Sequence, residues 1–116
     1  MGGDEMGAIF KNTEYVVREV TVAKAGEYLD IICHNDNTRK KTQSALYVRL
    51  KDPLGNTLIL DITVMVKKKL SRVGKRFSNK NSKLIKRQML GQIVTVDLRN
   101  FEILNLEKFI PKQGES

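Results

Sequence analysis

The 116-residue sequence has one cysteine, one histidine, two prolines and no tryptophan. A single cysteine, Cys33, excludes an intramolecular disulfide. Its apolar context, YLDIIC, suits a buried thiol better than a reactive one. One histidine and one cysteine cannot complete a metal site at the usual ligand spacing. Cys33 and His34 are adjacent, so a strand would send them to opposite faces, which argues against a Cys–His nucleophile pair. Asp30, Asp61 and Asp97 are scattered singly, whereas two-metal hydrolysis needs clustered carboxylates. No glycine-rich phosphate loop is present. Enzymatic activity is therefore not expected, nor is a cofactor. The chain has no apolar run of the 18 or so residues that a membrane-spanning helix needs. Its start, MGGDEMGAIF, has no signal-peptide pattern. The expectation is a cytoplasmic protein.

The most telling absence is of acid. From Ile62 to Val96 there is no aspartate or glutamate, and ten bases fall within Lys67–Arg87. They are Lys67, Lys68, Lys69, Arg72, Lys75, Arg76, Lys80, Lys83, Lys86 and Arg87. Of 21 basic and 13 acidic residues, net +8, the remainder of the chain keeps 11 basic against 13 acidic, net −2. The block thus carries the whole positive excess, and a field so one-sided attracts and orients a polyanion. A solvated helix face mixes signs, with acids pairing bases at i,i+4. Nucleic acid is the leading polyanion.

One domain is expected over residues 14–110, after a flexible segment at 1–13 and before a disordered tail at 111–116. Glu14–Val22 (EYVVREVTV) and Tyr28–His34 read as strands of a hairpin turned near Gly26. Asn35–Ser44 is a polar, basic loop. Ala45–Lys51 alternates, with Leu46, Val48 and Leu50 on one face and Tyr47, Arg49 and Lys51 on the other. Asp52–Asn56 has turn chemistry, and Thr57–Val66 reads as a long strand. Leu70, Val73 and Phe77 recur at helical spacing, although Gly74 weakens a helix there. Ser78–Ser82 reads as a break, with Asn81 or Ser82 capping a short helix through Leu90. Gly91 stands where a helix-terminating glycine belongs. Gln92–Leu98 and Phe101–Leu106 close the chain as strands. The fold class is all-β: a five-to-six-stranded antiparallel barrel with one helical excursion. Two solid helices at 64–77 and 82–90 would shift the class to α+β.

Over Glu14–Leu106 this element order resembles the OB-fold single-stranded DNA-binding proteins. The likeness lies in the strand YVVREVTV leading to a basic loop, in the strand ALYVRL, and in the helix–glycine–strand junction MLGQIVTVDL. The short members without an acidic C-terminal tail are the most similar, since this chain ends in PKQGES. It departs from the family in having no tryptophan, on which members often stack bases. The resemblance implies single-stranded DNA binding with little sequence preference, in replication, recombination or repair. It does not imply the partner recruitment that the acidic tail provides.

The expected contacts divide into two groups. The ten bases of Lys67–Arg87, with Arg39, Lys40 and Lys41 of the polar loop, would follow a phosphate backbone. Tyr47 and Arg49, expected to face outward, would stack bases, with Tyr28 as a weaker companion. Phe77 is favoured as a core anchor; Phe101 and Phe109 suit a core or an interface. A homodimer or homotetramer is expected, built on the apolar face of the long fourth strand and on FEILNLEKF. The alternatives are an RNA-binding module and a non-enzymatic assembly protein that docks on an acidic partner.

Overall fold

The computed structural model describes residues 13–24 and 44–112. The proposed strand Tyr28–His34, Cys33 and Arg39–Lys41 lie outside these residues. Strands β1 (Thr13–Lys24), β2 (Ser44–Lys51), β3 (Thr57–Asp61), β4 (Ile93–Asp97) and β5 (Glu102–Ile103) form one antiparallel sheet in the order β3-β2-β1-β4-β5. Two helices, α1 (Thr63–Arg72) and α2 (Asn79–Met89), stand between β3 and β4, and a 3₁₀ turn, Leu106–Phe109, follows β5. The fold is mostly β, but the sheet is open, and the single helical excursion is two helices.

β1 serves both halves of the sheet by means of a bulge. Its register slips between Val17 and Glu19, so Tyr15 and Val17 share a face with Val20. One extra residue reverses the parity of the strand. β1 thereby pairs with β4 through Thr13–Val16 and with β2 through Val16–Lys24. The face of β2 toward the main core is Leu46, Val48 and Leu50, as the alternation predicts. These side chains join Val17, Leu60, Val66, Leu70, Ile85, Met89, Val94 and Leu106 in one core. Both helices therefore lie on the same face of the sheet, with α1 against β2 and α2 against β1 and the 3₁₀ turn.

The long strand expected at Thr57–Val66 stops at Asp61. The Asp61 carboxylate accepts from the Thr63 amide at 2.9 Å and from the Thr63 hydroxyl. That hydroxyl in turn accepts from the Leu46 amide at 2.8 Å. Asp61 and Thr63 are both buried, and this local bonding turns the chain from strand into helix. α1 ends at a left-handed glycine, Gly74 (φ 71°). Lys75 N–H reaches Leu70 O at 2.8 Å and Gly74 N–H reaches Ser71 O at 3.1 Å, the paired bonds of a Schellman termination. The residue that weakened the helix in sequence is the one that stops it. Ser78–Ser82 is not a break but the start of α2. Ser78 is the cap, and its hydroxyl accepts from the Asn81 amide at 3.2 Å. Gly91 (φ 80°) follows the end of α2 as expected, and its amide donates to Val17 O at 2.8 Å.

The last expected strand, Phe101–Leu106, shortens to two residues. Asn105 replaces the missing ladder by pairing its side chain with β4. Its Oδ1 accepts from Thr95 N at 3.0 Å, and its Nδ2 donates to Ile93 O at 3.4 Å. Phe109, Ile110 and Pro111 are buried. No helix among the described residues is long and apolar enough to cross a membrane.

Candidate nucleic-acid interface

α1 turns Val66 and Leu70 inward and leaves Lys67, Lys68 and Arg72 exposed, with Lys69 half-buried. α2 turns Ser82, Ile85 and Met89 inward and leaves Lys80, Lys83, Lys86 and Arg87 exposed. Lys80, Lys83 and Arg87 recur at i, i+3 and i+7, one stripe along the outer face of α2. At the helical rise they span about 10 Å. Arg76, in the connector, is exposed, and Lys75 is half-buried. All ten bases thus belong to one helical layer on one side of the sheet. The helical excursion expected from the sequence is a two-helix surface.

Local structure relieves part of the repulsion among these charges. Lys69 and Arg72 occupy the last turn of α1, and Lys86 and Arg87 the last turn of α2, where cations meet the negative end of the helix dipole. Lys69 Nζ lies 3.4 Å from Glu107 Oε2. The Glu107 carboxyl is held below its usual range, first by its own backbone amide and then by Lys69 and Arg72. Lys67 Nζ sits 5.5 Å from the centre of the Phe77 ring, a cation–π distance. Phe77 itself packs against the core, as favoured from its spacing.

Of the residues expected to stack bases, Tyr47 is corrected. Tyr47 is on the face opposite the helices, as predicted, but it is 1% exposed, in a second buried cluster with Ala45 and Ala23. It lies mid-sheet, opposite Thr21 on β1 and Asp61 on β3. An outward direction on a strand means exposure only where nothing covers that face, and here both faces of β2 are covered at this point. Arg49 shares the face, half-exposed, and its Nε donates to Glu19 Oε1 at 3.5 Å. The sheet therefore separates Tyr47 and Arg49 from the ten bases. Tyr28, Arg39, Lys40 and Lys41 lie outside the described residues.

Sequence reasoning missed the segment that flanks α1. Met65, Val73 and Ile110, with Glu107 and Lys112, line hollows beside Lys69 and Arg72. Nothing in the linear sequence links Glu107 to Lys69; the link is made by the 3₁₀ turn folding back on the helix. Among the described residues no three His, Cys, Asp or Glu side chains are grouped to hold a metal. Comparison with protein-family models, curated proteins and solved structures finds no match to this chain.

Proposed function

We propose that this protein binds nucleic acid through its phosphate backbone, with single-stranded DNA as the ligand and little sequence preference. One observation carries the reading: the outer surface of the α1–α2 layer has exposed Lys67, Lys68, Arg72, Arg76, Lys80, Lys83, Lys86 and Arg87 and no acid of its own. Each phosphate engaged there releases condensed counterions, a contribution independent of base identity. The finer fold belongs to the same proposal. An open sheet in which β1 pairs with both β2 and β4, with helices between β3 and β4, supports an OB-type barrel, itself a partly open structure.

Fluorescence anisotropy with single-stranded DNA, duplex DNA and RNA of one length tests the proposal. Single-stranded DNA is expected to bind most tightly, and K80E/K83E/R87E is expected to weaken all three. Tighter binding of RNA would overturn the ligand, and an unchanged variant would overturn the surface. A second reading gains from the burial of Tyr47: an assembly protein docking on an acidic protein partner needs the charge but no exposed aromatic. Absence of binding to every nucleic acid in the panel would favour it.

A further inference from the structure

Beside α1 the positive layer has a floor. Two adjoining hollows, about 380 and 280 Å³, share Lys69 and Arg72 and run between α1 and the segment from Glu102 to Lys112. Buried Ile103, Leu106 and Ile110 and half-buried Met65 and Val73 give them apolar bottoms. Lys68, Lys69 and Arg72 form one wall. A ligand that fits must carry anionic groups and flat apolar surface within a few ångströms of each other. An unpaired nucleotide does so in every unit, whereas a duplex keeps its bases stacked inside.

We propose that this groove receives unpaired nucleobases of the bound strand, with their phosphates on Lys68 and Arg72. The proposal rests on the backbone-binding function above and adds to it a place for the bases other than Tyr47, which is buried. Glu107, tied to Lys69 at 3.4 Å, stands at the groove as the group that a phosphate must displace.

The test compares a thymidine oligonucleotide with one of equal length made of abasic sites, using the full chain and fluorescence anisotropy. Both present the same phosphates. The thymidine oligonucleotide is expected to bind on the order of tenfold more tightly, the factor for roughly 60 Å² of apolar surface leaving water. Val73→Asn, which makes the floor of the larger hollow polar without adding charge, is expected to abolish most of that preference. A 2-aminopurine in the oligonucleotide is expected to change its emission on binding the unaltered protein, a readout independent of the variant's folding. Equal affinity for the two oligonucleotides, no emission change, or a full preference in folded Val73→Asn overturns the groove and leaves backbone binding standing. Failure of both oligonucleotides to bind overturns backbone binding and the groove with it.

Discussion

Glu107 faces a layer of lysines and arginines and pairs with only one of them, Lys69. The pair is exposed on the carboxylate side, so it adds little stability, about 0–1 kcal/mol, but it keeps one cation from an incoming phosphate. Glu107→Gln is therefore expected to raise the affinity for single-stranded DNA several-fold, with unfolding unchanged within about 0.5 kcal/mol. Titrations of the two proteins at one salt concentration check this; equal or weaker binding by the variant would mean that Lys69 takes no part. Tyr47 teaches the complementary lesson. Its direction was legible in the alternation of ALYVRL, but its exposure was not. Burial depends on what covers a face, and a strand's own sequence does not contain that information.

Between elements, the corner from β3 to α1 decides where the positive layer sits. Thr63 donates to Asp61 and accepts from the Leu46 amide, all within the buried interior. Thr63→Val keeps the shape and removes both bonds, leaving the buried Leu46 amide without the hydroxyl it donates to, while Asp61 Oδ1 keeps the residue-63 amide. The expected cost is about 1–3 kcal/mol in denaturant unfolding; a loss well under 0.5 kcal/mol would show that the clasp is incidental. The pattern TLILDITVMV hid this corner because its apolar residues fit a strand at period two. The signal was Asp-x-Thr, whose short side chains bond their own backbone and compete with the ladder. The bulge in VVREVTV was hidden likewise, since valines fill both parities around it. The helices were partly legible. Leu70 is a core residue as read, whereas Val73 closes α1 and Phe77 lies in the connector. Gly74 and Ser78, which interrupt the pattern, are the stop and start signals of two helices.

At the scale of the molecule, the one-sided charge read from the sequence maps onto one helical layer of the fold. Its place on that layer was not legible, because charge counts carry no direction until the core is assigned. Once Val66, Leu70, Ile85 and Met89 are buried against the sheet, helix geometry puts most of the bases on the outer surface. The sheet's other face has Glu19 against Arg49 and the buried Tyr47. The proposed function requires the layer to bind by neutralising phosphates. The most direct test is the affinity for a thymidine oligonucleotide over a series of salt concentrations, for the unaltered protein and for K80E/K83E/R87E. Log K is expected to fall linearly with log salt, with a slope of about −0.7 for each phosphate engaged on a single strand. The variant is expected to have a shallower slope, by about 2 where each of the three bases contacts one phosphate. An affinity indifferent to salt, or identical slopes for the two proteins, would contradict the proposed function.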